Sequence, residues 1–194
     1  MTILLGGAGS ACAEPSLFAE AQTYCISTDA NAGRVAARAK TDGFTLAPKG
    51  EPAIAGSQGL PLDNAQVWKR GDLTLITGTR TAKGGVFPPM EMIDCTLRGP
   101  GNLGPQTLKL LSTEATAWAG FPPVVDDDLS IAYFFVADAD GTRRSADAQM
   151  SKADIERLMK SQNLQVLSLE STHDGTEVSF GHIRPLAEPA NSTH

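Results

Sequence analysis

Hydrophobic and polar positions along this chain follow two different periods, and each period marks a set of elements. "AQVWKR" and "LTLITGT" read as strands joined around Arg70-Gly71-Asp72, which is ordinary hairpin chemistry. "MEMIDCTL" follows as a third strand, with Met90 and Met92 set against Glu91. There Ile93 and Cys95 share one face, and Asp94 and Thr96 the other. "LSIAYFFVADADGTRR" reads as a buried strand running into a tight turn. "LQVLSLES" and "TEVSFGHI" flank His173-Asp174-Gly175 as a β-hairpin turning at Asp174-Gly175. Leu167, Leu169, Val178 and Phe180 then share a face, and pairing across that turn sets His182 opposite Leu167.

Three stretches carry the helical period instead. In "STDANAGRVAARAKTDGF", Ala32, Val35, Ala36 and Ala39 fall on one side, with Asp29 or Thr28 placed to cap the start. Gly43 suits the C-terminal cap, with Phe44 folding back as its hydrophobic contact. A stripe made mostly of alanine lets a helix lie close against a flat surface, so this helix is expected on a sheet. "PQTLKLLSTEATAW" opens with Pro105 at a first helical position and lines up Leu108, Leu111, Ala115 and Trp118. "SKADIERLMKSQN" pairs Ser151 with Asp154 as a capping box, turns Ile155, Leu158 and Met159 inward, and ends at Asn163.

Together these elements predict an α+β fold: short helices packed on antiparallel sheet, in two similar-sized lobes sharing an interface. The break at "RGPGNLGP" separates an N-terminal lobe, 14–98, from a C-terminal lobe, 105–186. Residues 1–13 look like a leader, Lys49–Asp63 like a Gly/Pro-rich loop, and residues 187–194 like a polar tail.

Composition narrows the class. With 41% hydrophobic and 20% charged residues, 194 residues are enough for a globular fold with a sizeable core. No apolar run approaches the ~20 residues of a spanning helix. The net charge of −6 sits in the second half, where seven Lys/Arg face thirteen Asp/Glu, while residues 1–100 balance nine against nine. There is no basic stripe to neutralise phosphates, so neither nucleic acid nor an anionic membrane surface is an expected partner.

The start of the chain bears on the compartment. Ala11-Cys12-Ala13 before Glu14-Pro15 fits a small-x-small cleavage site, and Ile3–Ala8 supplies an apolar stretch. The positively charged segment of a secretory signal is missing, since the first Lys or Arg is Arg34. A lipoprotein version built on Cys12 wants a Leu-like residue where Gly9 stands. Loss of residues 1–13 would leave Cys25 and Cys95, an even count that suggests a disulfide closing a loop of about 70 residues in a periplasmic or secreted protein.

Candidate chemistry is sparse. No GxSxG, SxxK, HExxH, GxxxxGK[ST], GxGxxG or CxxC pattern occurs. Asp138, Asp140 and Gly141 imitate part of a calcium loop, but Val136 occupies its first ligand position and Asp147 stands where a bidentate Glu is needed, which favours a β-turn. Asp126, Asp127 and Asp128 are adjacent and point to opposite sides of an extended chain, as in a solvated loop. His173 sits at a turn, His194 ends the chain, and His182 follows Phe180 as a core-edge histidine. Trp68, Phe87, Trp118 and Phe121 are aromatics able to anchor a ligand or pack a core. Asn191-Ser192-Thr193 is a glycosylation sequon in the tail.

The leading expectation is therefore a non-catalytic exported protein of the bacterial envelope or periplasm that binds a protein partner or a small ligand. It carries no cofactor, metal or catalytic residue, and Cys25–Cys95 is its one assigned pair. A competing expectation is an envelope hydrolase in which at least two of Asp126, Asp128, Asp138, Asp140 and His182 converge. A third is an inhibitor or structural subunit presenting an exposed apolar patch.

Overall fold

The fold is that of a computed structural model, which describes residues 15–51, 54–55, 60–82, 89–101, 104–146, 151–161 and 164–186. The leader-like segment, Phe87, Asp147, Asn163, and the tail with its sequon and His194 lie outside the described residues.

The Ser16 hydroxyl accepts the Ala19 N–H and so caps helix α1 (Leu17–Ala21). The chain continues into a π-helical turn, Gln22–Ile26, that buries Tyr24 and Cys25. Helix α2 (Ala32–Thr41) is capped by Asn31, whose side chain accepts the Arg34 N–H at 3.1 Å, and not by Asp29 or Thr28. The physical reason is a left-handed pair of residues, Asp29 (φ 59°) and Ala30 (φ 50°), which turns the chain just before the helix. Thr28 donates back to the Tyr24 carbonyl at 2.6 Å instead. At the far end the Phe44 N–H reaches the Ala39 carbonyl across Gly43 and the ring is buried, as expected of a glycine cap.

Strands β1 (Thr45–Leu46), β2 (Ile54–Ala55), β3 (Leu60–Pro61), β4 (Asp63–Arg70), β5 (Leu73–Ala82) and β6 (Met90–Gly99) precede helix α3 (Gly104–Ala119). They are followed by β7 (Val125–Asp126), β8 (Ser130–Ala137), β9 (Arg143–Ser145), helix α4 (Lys152–Lys160), β10 (Leu164–Thr172) and β11 (Gly175–Pro185). The expected loop before β4 thus contains a small pair, β2 with β3. The rest forms one nine-stranded antiparallel sheet in the order β1-β4-β5-β6-β11-β10-β8-β7, with β9 on β8. Four short helices pack against it, the α+β fold read from the sequence. Strands from the first half and strands from the second half meet along β6 and β11, from Thr176↔Gly99 to Pro185↔Met90.

The β10–β11 turn differs from expectation. Its two free residues are His173 and Asp174, because Thr172 already pairs with Gly175. Gly175 takes φ 152°, and a Cβ there would fall 2.3 Å from the Gly99 carbonyl oxygen. His182 consequently faces Gln165 rather than Leu167. A two-residue shift preserves sidedness, so Leu167 still faces Phe180 and Leu169 faces Val178.

The α1–α3 side of the sheet holds the main core, in which Leu75, Leu97, Leu167 and Tyr133 are fully buried beside Leu108 and Ala115 of α3. Fully burying such side chains stabilises by about 1.5–3 kcal/mol each. A disulfide ties Cys25 of the π-turn to Cys95 of β6, with Cα atoms 5.3 Å apart and both residues fully buried. The other face carries two smaller apolar clusters, one where Met159 of α4 meets Leu164, Val166 and Ile183, the other around Leu62, Val67 and Ile76. α4 opens with the expected capping box of Ser151 and Asp154. Among the described residues no helix is long and apolar enough to cross a membrane.

Candidate functional site: a cleft beside Trp68

The geometry starts with a proline. β1 pairs with β4 over Thr45↔Lys69 and Leu46↔Trp68, and the Ala47 N–H still donates to the Val67 carbonyl at 2.8 Å. Pro48 comes next and has no N–H to continue the ladder, so the chain peels away through Lys49, Gly50 and Glu51. Helix α2 closes the opposite side with Ala36 and Lys40, four residues apart and so on one helical face. The result is a cleft of about 380 Å³ at the edge of the sheet. Successive strand residues point to opposite faces, yet both Val67 and Trp68 line it, so the cleft wraps around that edge.

Trp68 is its main feature. The residue is only 3% exposed and packs in the main core opposite Leu75. Its indole N–H is buried without an acceptor among the described residues. Such a donor costs about 1–3 kcal/mol when left unpaired. The Lys40 ammonium lies 5.7 Å from the centroid of the ring. Glu51 is engaged in an ion pair with Lys69, while Lys40 and Lys49 have no carboxylate partner among the described residues.

Two further polar constellations stand elsewhere. His182 of β11 places Nε2 2.8 Å from Asp29 Oδ1, with its ring edge-on to Phe180 at 5.7 Å. The histidine is therefore at the core edge, as its neighbour Phe180 suggested, with an acid partner 153 residues away. On the other face of the sheet, Asp94 pairs with Arg80, Glu177 pairs with Arg98, and the Thr96 and Ser179 hydroxyls meet at 2.7 Å. Asp94 sits between Gly78 and Gly181 on the neighbouring strands. Burial pushes its carboxyl above the ordinary aspartate value; Arg80 pulls it back and Glu170 adds to the rise.

The aspartates singled out from the sequence do other work. Asp126 and Asp128 are exposed, and Asp127 between them accepts the N–H groups of Leu129 and Ser130 at 2.9 and 2.6 Å. Asp138 pairs with Arg144 at 2.9 Å, which holds its carboxyl below the usual range. Asp140 is held low by the Thr142 N–H, 2.9 Å away, in the same turn. That turn is the one expected from "ADADG". His182 lies two strands over from β8, in register with Gln165 and then Phe135, a separation of roughly 10 Å before any offset along the strands. Asp126 pairs with Ile131, four residues farther down β8. Among the described residues no three His, Cys, Asp or Glu side chains gather around a point where a metal could sit.

Of the other aromatics, Trp118 lies beneath the Arg143 guanidinium at 3.8 Å and edge-on to Phe18 and Phe135. Phe121 packs against Tyr133 and Phe135. Among the described residues the exposed large apolar side chains are Leu46 on β1, Val125 on β7, Leu129 in the turn before β8, and Leu110 on α3. The Trp68 cleft has one sequence signal, a proline two residues after Leu46, but the approach of α2 to β4 that completes it is not a local pattern. No protein-family model matches the chain, and no curated protein matches it.

Proposed function

We propose that this chain is a non-catalytic, exported binding protein of the cell envelope, periplasm or extracellular space, and that it takes a small ligand in the cleft beside Trp68. The observation that carries this reading is a concave site of mixed apolar and charged lining that includes Trp68, whose buried indole N–H has no acceptor among the described residues. A structural tryptophan would ordinarily find a partner for its N–H. The Cys25–Cys95 disulfide supports a compartment where thiols oxidise. A carboxylate hydrolase has less support, because Asp138 is engaged by Arg144, Asp140 by the Thr142 N–H of its own turn, and His182 stands two strands away from β8.

Screening a diverse fragment set by amide and indole NMR tests the ligand reading. Binders are expected to shift the Trp68 indole N–H together with amides of α2 and β1. A folded protein in which no fragment shifts these signals overturns it. Export is tested by expressing residues 1–194 in a bacterial host and weighing the periplasmic chain. The expected mature protein starts at Glu14 and is lighter than its reduced form by two hydrogen atoms. A chain that keeps Met1, with Cys25 and Cys95 both free, overturns that part.

A further inference from the structure

We infer that the ligand of the Trp68 cleft is a small organic anion, a carboxylate carried on a flat apolar body. This rests on the cleft being a ligand site and adds its chemistry.

Charge is the first argument. The protein carries −6 overall, so carboxylates outnumber cationic side chains. Against that surplus the cleft gathers Lys40 and Lys49, neither with a carboxylate partner among the described residues. Glu51, also in the lining, is already engaged by Lys69. A concave site holding two uncompensated ammonium groups attracts an anion and repels a cation.

Hydrogen-bond sense is the second. An indole N–H can only donate, so the partner that Trp68 lacks is an acceptor. A carboxylate oxygen fills that role more strongly than a neutral carbonyl, because charge-assisted bonds are shorter and roughly twice as strong. The Lys40 ammonium, 5.7 Å from the ring centroid, is close enough to add a second charge-assisted contact to an anion that reaches Trp68. A cation could not use the same ring face, since Lys40 already stands over it.

The walls supply the third. Ala36, Leu46, Pro48 and Val67 offer apolar surface, which an inorganic anion such as phosphate would leave uncovered. About 380 Å³ lies toward the small end of ligand sites, enough for a one- or two-ring compound.

The test uses a matched trio, benzoate, benzamide and benzylamine, with 1-naphthoate as a larger anion, titrated into the disulfide-bonded protein. The readout is the Trp68 indole resonance, separated from the second tryptophan by the Trp118→Phe variant. Benzoate is expected to bind roughly tenfold tighter than benzamide, the equivalent of about 1.4 kcal/mol for one charge-assisted contact, and to weaken with added salt. Benzylamine is expected to leave the indole unmoved. Lys40→Gln should weaken benzoate several-fold and leave benzamide unchanged, with the amide spectrum confirming the fold. Binding of benzamide or benzylamine as tight as benzoate overturns the ligand class and leaves the cleft standing. Failure of all four compounds to move the indole, or shifts that map away from α2 and β1, overturns the cleft itself.

Discussion

Glu20 and Arg70, fifty positions apart in sequence, meet at one guanidinium nitrogen: Nη2 donates to both carboxylate oxygens of Glu20, at 3.1 and 3.2 Å. The other nitrogen, Nη1, donates to the Tyr24 hydroxyl at 2.9 Å and to the Asp42 carbonyl at 3.3 Å. The planar group also lies 4.5 Å from the Phe44 ring centroid and 5.5 Å from that of Tyr24. One side chain at the β4–β5 turn thus fastens α1, the π-turn and the end of α2 to the sheet.

Arg70→Met is expected to destabilise the protein by about 2 kcal/mol, read from the urea midpoint at constant slope. The side chain is 32% exposed, so the ion pair itself contributes at most about 1 kcal/mol; the rest comes from ring stacking and the two Nη1 bonds. Arg70→Lys should lose more than half as much, since an ammonium cannot lie flat on Phe44 while reaching four acceptor oxygens on three residues. A methionine variant within about 0.5 kcal/mol of the parent would show that the fastening is incidental.

The Cys25–Cys95 bond closes a loop across 70 positions and joins the π-turn after α1 to the centre of the sheet. Chain entropy alone assigns such a closure about 4 kcal/mol, and native disulfides typically contribute 2–5. A Cys25→Ala/Cys95→Ala protein should therefore unfold at markedly lower urea. Both sulfurs are fully buried, so in a Cys12→Ser background a maleimide reagent should label the protein only after reduction under denaturing conditions. Stoichiometric labelling of that denatured variant without reductant would refute the bond.

Much of this architecture is visible in local sequence because the period of burial is local. The strand faces of Leu167, Leu169, Val178 and Phe180, the inward Val35, Ala36 and Ala39 of α2 (though not Ala32, which is exposed) and the Ser151–Asp154 box all follow from spacings of one to four residues. What local pattern leaves out is equally physical. The left-handed Asp29–Ala30 pair includes an alanine, which seldom adopts that conformation, so the start of α2 reads two or three residues early. The β10–β11 turn reads as Asp174-Gly175 because Asp-Gly is a strong turn signal, whereas Gly175 serves the ladder next to Gly99. The cleft needs α2, β1 and β4 brought together, and the His182–Asp29 and Asp94–Arg80 pairs need sheet register, so none of these has a sequence-local signature.

Gly181 illustrates how tight that register is. It pairs with Asp94 on β6, and a Cβ built on it would lie 2.2 Å from the Ile93 carbonyl oxygen and 3.2 Å from its carbon. Both obstructing atoms are backbone in the middle of the sheet, so they cannot swing aside as a side-chain tip would. Gly181→Ala should cost about 3 kcal/mol or more, or prevent folding. Gly141→Ala, in the exposed turn after β8, serves as the comparison: its Cβ meets nothing within 4 Å, so only the positive φ of 86° is strained, at about 1 kcal/mol. Equal losses at the two sites would contradict the close approach of β6 and β11.

Asp94 gives the fold a pH dependence of definite sign. The residue is 1% exposed, and burial raises its carboxyl above the ordinary value of 3.8 more than its pairing with Arg80 lowers it, Glu170 adding to the rise. With the folded value above the unfolded one, the native state binds the extra proton. This group's contribution is then fully present below pH 3.8 and declines as pH rises from there through the folded value. Asp154, held low chiefly by the Ser151 hydroxyl, and Asp138, held low by Arg144, act in the opposite sense and lose their contributions as pH falls. Total stability therefore mixes both signs, and the clean measurement is a difference. Asparagine at position 94 cannot ionise, so the stability of the parent minus that of Asp94→Asn, from urea titrations across the acid-to-neutral range, should decrease steadily with rising pH. An increase would mean that Arg80 outweighs burial and that Asp94 sits beside it as a stabilised anion.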